Sequence, residues 1–292
     1  MTFRIGIIGD LHTHWDDVDV RQFNRSHYDL LLFTGDLGGG TTGSSLRMAQ
    51  ALSRLEKNAL VMPGNNDTGD IAELAAELSH RAGMKRLAAM RGGAVPQHGS
   101  VRLCGYSAHP IGGDGHAVTL IAARPHSMGG PALSFPEHMR AAYGIDSVAS
   151  SLRRLQTLVD AAPSRELVFL AHNGPIGLGH APDDMWGCDF MPDGGDWGDH
   201  DLAGAIDYAR ARGKLVLAVI AGHMHLRTRC DRERPWLAER NGTAYVNAAR
   251  VPRIRASGDD VERHHVAMTL TRDGITLDEV FVPQSGPAPG AG

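Results

Sequence analysis

Five short apolar runs along the chain are each followed, within three residues, by an aspartate, an asparagine or a histidine. The runs are Arg4–Gly9, Asp29–Thr34, Ala59–Met62, Glu166–Ala171 and Lys214–Ala221. Continuous apolar runs of this length are typical of strands that a sheet buries on both faces. We therefore predict five buried strands whose ends carry polar side chains.

Apolar residues at helical spacing lie between these runs. They form three sets, which are Leu46, Ala49, Leu52 and Leu55; Ile71, Leu74 and Leu78; and Val148, Leu152, Leu155 and Val159. Asp70, with Glu73 three residues later, is placed to begin the second helix, and Asp146 to begin the third. The alternation of strands and helices predicts an α/β fold.

The pattern changes after Arg91, where further strand-like runs follow without intervening helices. They are Ser100–Tyr106, Thr243–Asn247, His265–Thr271 and Gly274–Val282. We predict that they build a second, partly antiparallel sheet. Two segments, Ala108–Pro136 and Gly174–His200, are rich in Gly, Pro, His and Asp and lack periodicity. Long loops in a compact domain are usually functional, so we expect these two to form the walls of a substrate pocket.

The chain has 292 residues. We expect one domain over residues 1–282 and a disordered tail over residues 283–292, which is rich in proline and glycine. The 29 basic and 33 acidic residues give a net charge of -4, which argues against an electrostatic grip on nucleic acid.

Cysteine usage and hydropathy indicate the setting in which the protein works. Cys104, Cys188 and Cys230 lie far apart, so the sequence indicates neither a disulfide framework nor a thiolate zinc site. No run reaches the roughly 20 apolar residues that a membrane span requires. We expect a cytoplasmic protein that does not bind membranes.

Candidate ligands for metal ions follow the five predicted strands. They are Asp10, His12, Asp36, Asn65, His172, His223 and His225. Open α/β sheets place their sites at the carboxyl ends of strands, and residues two apart share a face there. Glycines before these ligands allow sharp turns and close approach of the backbone. All donor atoms are nitrogen or oxygen, which suits Mn, Fe, Zn, Co or Ni.

These motifs, D-x-H, GD, GN, a lone H and GHxH in this order, resemble those of the calcineurin-like metallophosphoesterase family. The resemblance implies an α/β sandwich of two sheets flanked by helices, in four αββα layers, with two divalent or mixed-valence metal ions. It places Asp10, His12 and His225 on one ion, Asn65, His172 and His223 on the other, and Asp36 between them. Residues 123–130, 172–179 and 194–202 resemble a branch of the family found in cyanobacteria and plant plastids.

The third motif departs from the family pattern. The family usually has a histidine after the asparagine, whereas this chain reads Gly64-Asn65-Asn66-Asp67. Because the amide of Asn66 does not titrate near neutrality, it cannot act as a general acid. We predict Asp36, Asn65, Asn66 and Asp67 as catalytic residues. We also predict a small phosphorylated substrate, with diesters or activated esters preferred over unactivated monoesters.

Substrate contacts are predicted in the two long loops. Arg124 could clamp a phosphate or pair with a surface acid such as Asp114. A pocket cap or a packed turn could be formed by Asp196, Trp197 and Asp199. The missing acid could come from His109, His116, His126 or His180, or these could be ordinary loop residues. His14 is interpreted as a loop or supporting residue outside the ligand set.

Two other functions compete with this reading. The DLHTH segment after the first strand is also how PHP-type and amidohydrolase metal barrels begin, but a barrel needs about eight strand–helix units. A non-catalytic scaffold of the same fold is the alternative from another class, although scaffolds usually lose metal ligands. We therefore predict an enzyme, a phosphodiesterase or a phosphatase.

Overall fold

The structure is a computed structural model that describes residues 2–80, 100–113, 116–191 and 193–284. Two sheets pack face to face, and helices cover the outer face of each sheet. This is the predicted four-layer α/β sandwich. It excludes the alternative of a metal barrel, because the strands form two open sheets and not a closed ring.

The first sheet joins four parallel strands to an antiparallel group. The parallel strands are β1 (Phe3–Ile8), β2 (Leu30–Phe33), β3 (Asn58–Val61) and β4 (Val101–Leu103). The antiparallel group is β11 (Ile254–Ser257), β12 (Asp260–Thr271) and β13 (Gly274–Pro283). Strand β12 pairs antiparallel with β1, so that Phe3 lies opposite Leu270.

The second sheet has a parallel centre and antiparallel edges. Its strands are β5 (Ser107–Gly113), β6 (His116–Ala122), β7 (Glu166–Asn173), β8 (Leu215–Gly222), β9 (Leu237–Arg240) and β10 (Thr243–Asn247). The order across the sheet is β5-β6-β7-β8-β10-β9. Strands β5 and β9 are the antiparallel edges.

In the described ranges, three helices cover each sheet. On the first sheet lie α1 (Asp17–Arg25), α2 (Ser44–Leu52) and α3 (71–80), and on the second lie α4 (Pro136–Tyr143), α5 (Val148–Ala161) and α6 (His200–Ala211). Each layer has an apolar core. Leu32 and Ile220 meet between the sheets, Phe33 packs under α1 and α2, and Phe169 packs under α5 and α6.

The five buried strands and three helices expected from the sequence are all present. Some helix boundaries differ. Ser147 and not Asp146 caps α5, since its hydroxyl accepts a hydrogen bond from the Ser150 backbone N–H at 3.1 Å. Helix α3 follows a 3-10 turn over Asn65–Asp70, and Leu55 lies beyond the end of α2.

The predicted second sheet exists, but its membership was wrong. Of the four runs assigned to it, only Thr243–Asn247 belongs there, and the others form β4, β12 and β13 of the first sheet. Helices α4, α5 and α6 also lie between them. Sequence periodicity identifies a strand but not its neighbours, because pairing partners are distant in the chain.

The segment Ala108–Pro136 was wrongly predicted to be a loop throughout, because β5 and β6 occupy its first half. Strand β5 is an edge strand with several exposed positions, and its glycines, proline and histidine gave it the composition of a loop.

Strand β13 continues to Pro283, whereas the rest of the predicted tail, 285–292, lies outside the described residues. Within the described ranges, no helix is long and apolar enough to cross a membrane.

Candidate metal centre

The candidate ligands meet where the carboxyl ends of the parallel strands from both sheets converge. Asp10 and Asp36 follow β1 and β2, and Asn65 begins the 3-10 turn after β3. From the second sheet, His172 lies near the end of β7 and His223 directly follows β8. Residues far apart in the sequence are thereby brought together by the topology of the sheets.

The ligand atoms form two groups. One contains Asp10, His12 and His225, and the other contains Asp36, His172 and His223, with the ligand atoms of each group within 4.8 Å of one another. The Nε2 atoms of His12 and His225 lie 3.0 Å apart. Two atoms that are each about 2.1 Å from one ion are roughly 3.0 Å apart at a right angle and 3.4 Å apart at the tetrahedral angle. The spacing of the two imidazoles therefore fits a shared ion.

Asp36 lies between the two groups. Its Oδ2 is 3.6 Å from Nε2 of His12, and its Oδ1 is 3.5 Å from Nε2 of His172. The same His172 nitrogen is 3.0 Å from Oδ1 of Asn65. One buried carboxylate thus faces both groups, and Asn65 lies beside the second.

Hydrogen bonds orient two of the candidate ligands. Nδ1 of His172 donates to the Thr34 carbonyl at 2.7 Å, which directs Nε2 towards Asp36. Oδ1 of Asp10 accepts from the Thr34 hydroxyl at 2.8 Å, and Oδ2 accepts from the His223 backbone N–H at 2.9 Å. The position of Asp10 is therefore set before any ion binds.

The glycines of the motifs allow this close packing. A Cβ atom on Gly64 would lie 2.1 Å from Oδ1 of Asp36, and one on Gly222 would lie 2.2 Å from Oδ1 of Asp10. Asp36 itself has a φ of 45°, and His223 has a φ of 68°, conformations that non-glycine residues rarely adopt. Such strain is typical of functional sites.

Burial controls the charge of these side chains. Burial, with the charge of His172 as a second cause, lowers the pKa of His223 to about 3. It also lowers the pKa of His225. Both are therefore neutral near pH 7, and neutral imidazole is the form that binds metal ions. Burial would raise the pKa of Asp10, but its attraction to the surrounding histidines outweighs this and holds the pKa below its usual value.

Asn66 makes two contacts that the sequence did not indicate. Its backbone N–H donates to Oδ1 of Asp36 at 2.9 Å, and its side-chain amide donates to Oδ2 at 2.9 Å. Asn66 also lines the pocket above the two groups. It therefore fixes the carboxylate that faces both groups, and it brings no titratable proton into the pocket.

Asp67 does not reach the pocket, which contradicts its predicted catalytic role. It is fully buried and accepts hydrogen bonds from the backbone N–H groups of Leu37 and Gly64 at 3.0 and 2.9 Å, and from the Ser45 hydroxyl at 2.8 Å. Burial, together with repulsion from Asp36, raises its pKa to about 6. Asp67 joins the loops after β2 and β3, and so supports the ligands indirectly.

Arg124 and Asp199 are buried as partners of each other, so their predicted contacts with substrate were wrong. Nη2 of Arg124 is 2.7 Å from Oδ1 of Asp199, and its Nε is 3.1 Å from Oδ2 of Asp201. The arginine side chain is only 1% exposed. Asp199 also accepts from the Ser127 hydroxyl at 2.7 Å. The other suggested partner, Asp114, lies outside the described residues.

The other two predicted cap residues differ in position. Asp196 accepts hydrogen bonds from the backbone N–H groups of Gly177, Gly179 and Gly198 at 2.6, 3.0 and 2.9 Å, so it shapes its loop, and it does not line the pocket. Trp197 lines the pocket, and its Nε1 donates to the Met128 carbonyl at 2.8 Å. The tryptophan thus joins the two predicted wall segments.

The histidines suggested as replacement acids do not appear among the described residues that line the pocket. They are His109, His116, His126 and His180. His126 is fully buried against His138, with ring centroids 4.7 Å apart, and burial lowers its pKa to about 3. His116 pairs with Glu166 at 2.5 Å at the far end of β6. His14 also lies outside the pocket lining, and its carbonyl accepts a hydrogen bond from Arg253.

A pocket of about 450 Å³ opens above the two ligand groups. Met128, Phe190 and Trp197 form one apolar side, called here the aromatic wall, and Phe190 meets Trp197 edge to face at 5.3 Å. Met128 and Phe190 are two of the four large apolar side chains that the described ranges leave exposed. The pocket is large enough for a small organic molecule.

Comparison with known proteins identifies the family. The model of the calcineurin-like phosphoesterase family matches residues 3–227. The chain belongs to this family and is a metal-dependent phosphoesterase, a hydrolase that acts on phosphorylated substrates. Members of the family normally hold a dinuclear metal centre, and the two ligand groups fit one.

One solved structure supports the fold. Its alignment covers 96% of this chain and 99% of the other chain, at 13% sequence identity and a TM-score of 0.52. A predicted phosphoesterase from Streptococcus pneumoniae TIGR4 matches at 10% identity and a TM-score of 0.35, over 99% of this chain and 95% of the other. Vps29 from Chaetomium thermophilum matches at 10% identity and a TM-score of 0.25, over 99% of this chain and 100% of the other. No curated protein sequence matches the chain.

Proposed function

We propose that this phosphoesterase hydrolyses small phosphodiesters and activated phosphoesters in preference to unactivated monoesters. The supporting observation is the pocket lining. Apart from the ligand residues His12, Asp36, His223 and His225, the only described carboxyl or imidazole group in the lining is Asp189. Asp189 lies 3.2 Å from the guanidinium of Arg234, so it is engaged in an ion pair. The pocket therefore lacks an evident proton donor for a poor leaving group.

The proposed metal sites follow the two ligand groups. Asp10, His12 and His225 hold one ion, Asn65, His172 and His223 hold the second, and Asp36 contributes to both. When bound, two such ions stabilise charge on the phosphoryl oxygens and make a water molecule nucleophilic at neutral pH. The nitrogen and oxygen donors suit Mn, Fe, Zn, Co or Ni, in a divalent or mixed-valence pair.

The side chains around the ligands have separate roles in this proposal. Asn66 keeps both oxygens of Asp36 in place through its backbone and side-chain N–H groups. Trp197, Phe190 and Met128 contact the organic part of the substrate and exclude water from it. Asn65 lies on the rim of the pocket beside His172 and holds the second ion. We also propose that the chain belongs to a branch of the family found in cyanobacteria and plant plastids.

The proposal predicts a steep dependence on the leaving group. We expect kcat/KM to fall strongly from p-nitrophenyl to alkyl esters, because a positioned general acid is typically worth a factor of about 10² to 10⁴ and the described pocket lining supplies none. Asn66→His should raise kcat/KM for ethyl esters at least about tenfold relative to p-nitrophenyl esters. Steady-state kinetics with a series of leaving groups measures both effects.

Asn66→Ala is the matched control, since it removes the same amide without adding an acid. It should lower turnover of all esters alike. If the wild-type enzyme cleaves ethyl monoesters as fast as aryl diesters, an acid outside the present assignment must protonate the leaving group, and the proposed preference is wrong.

A further inference from the structure

The segment after β8 carries the candidate ligands His223 and His225 and then Arg227 and Arg229, which are called here the arginine row. From His223 to Arg229, burial alternates with every residue: Met224, Leu226 and Thr228 are buried, and the residues between them are partly or fully exposed. The exposed side of this segment faces the pocket, since His223, His225, Arg227 and Arg229 all line it.

The arginines differ in whether a carboxylate neutralises them. Arg227 pairs with Asp231, and buried Arg234 lies 3.2 Å from Asp189. In the described part of the chain, the guanidinium of Arg229 has no carboxylate partner, and it lies 5.6 Å above the ring of Phe190. Asp189 accepts a hydrogen bond from the backbone N–H of Arg229, at 2.7 Å, and its ion pair is with Arg234. One positive charge thus remains unpaired on the aromatic wall.

Arg234 adds a second indication of an anionic ligand. Its side chain is 1% exposed, and Nη2 donates to the Gly187 carbonyl at 2.7 Å, but Nε and Nη1 have no hydrogen-bond partner. Buried guanidinium groups usually have their N–H groups satisfied. Beside Arg229, this leaves an excess of positive charge and of donors on one side of the pocket.

We infer that Arg229, supported by Arg227 and Arg234, recognises a second anionic group of the substrate, a phosphate or a carboxylate carried by its organic part. The four steps along the chain from His225 to Arg229 span at most about 14 Å, so the second anion lies within that distance of the ligands plus the reach of the arginine. An apolar or ring-bearing body between the two anions would lie on the aromatic wall. This inference rests on the proposed function and names the substrate class for the same pocket.

The test compares three diesters of p-nitrophenyl phosphate that share one leaving group. Their second ester is benzyl, 4-carboxybenzyl or 4-phosphonobenzyl, so only the distal charge differs. We expect the wild-type enzyme to have a kcat/KM about fivefold or more higher for the 4-carboxybenzyl and 4-phosphonobenzyl diesters than for the uncharged benzyl diester. This preference should fall as salt screens the exposed arginine. The carboxylate and the phosphonate show which anion is preferred.

Arg229→Gln should remove most of this preference, and Arg229→Lys, which keeps the charge, should retain part of it. Trp197→Ala should lower kcat/KM for all three diesters alike, because the benzyl ring is common to them. Arg232→Gln is the matched control, since Arg232 is exposed, pairs with Asp183 at 3.2 Å and lies outside the pocket lining.

Equal rates for the three diesters in the wild-type enzyme would overturn the inference. A loss of preference in Arg232→Gln as large as in Arg229→Gln would also overturn it. Failure of the proposed function has a different signature, because the metal-loaded wild-type enzyme would then cleave none of the three.

Discussion

Replacing Asp36 with asparagine should abolish metal binding and hydrolysis together. Asp36 faces both ligand groups, at 3.6 Å from His12 and 3.5 Å from His172. An amide of the same shape carries no negative charge for either ion. We expect kcat/KM to fall by at least about 10³, because bound ions stabilise the transition state by several kcal/mol.

The measurement combines elemental analysis of the purified variant with turnover of an aryl diester. Asp207→Asn is the matched control, since it makes the same change on a carboxylate that is 78% exposed on α6. It should keep normal metal content and normal rate. If Asp36→Asn retained two ions per chain and near-normal turnover, Asp36 would not bridge the two sites.

Replacing Arg124 with methionine should destabilise the protein by about 3 to 5 kcal/mol. The guanidinium lies between Asp199 and Asp201, and all three side chains are at most 1% exposed. Without it, two carboxylates remain buried with no positive charge between them. Burial and repulsion from Asp201 already raise the pKa of Asp199 to about 6, although attraction to Arg124 opposes this shift.

Urea unfolding of the variant gives the change in the free energy of unfolding. Arg212→Met removes an exposed pair with Asp160 and should cost less than about 1 kcal/mol. Adding Asp199→Asn and Asp201→Asn to Arg124→Met should restore part of the stability, since the unpaired charges are then gone. Equal losses in Arg124→Met and Arg212→Met would show that the buried network contributes little.

The sequence pointed to the candidate ligands because most of them follow an apolar run within three residues, and strand ends converge in this class of fold. The same reasoning assigned wrong roles to Asp67, Arg124 and Asp199. These residues also lie beside strand ends or in Gly-rich loops, but their partners, such as Ser45 and Asp201, are 22 and 77 positions away. Burial and pairing at such separations leave no local pattern in the sequence.

Other features lacked a signal for different reasons. The hydrogen bonds from Asn66 to Asp36 depend on how two loops approach each other, although the absence of an acid at position 66 was evident from the residue type. The arginine row could have been found, because His223, His225, Arg227 and Arg229 occupy alternate positions in HMHLRTR. Edge strand β5 was missed because its composition is that of a loop.

A metal titration of chelated, metal-free protein tests the central claim most directly. Bound Mn²⁺ per chain and turnover of bis(p-nitrophenyl) phosphate are measured in the same samples. We predict no turnover without ions and full turnover only as the content approaches two ions per chain. Full activity in metal-free protein, or saturation of both activity and binding at one ion per chain, would contradict a dinuclear centre held by Asp10, His12, Asp36, Asn65, His172, His223 and His225.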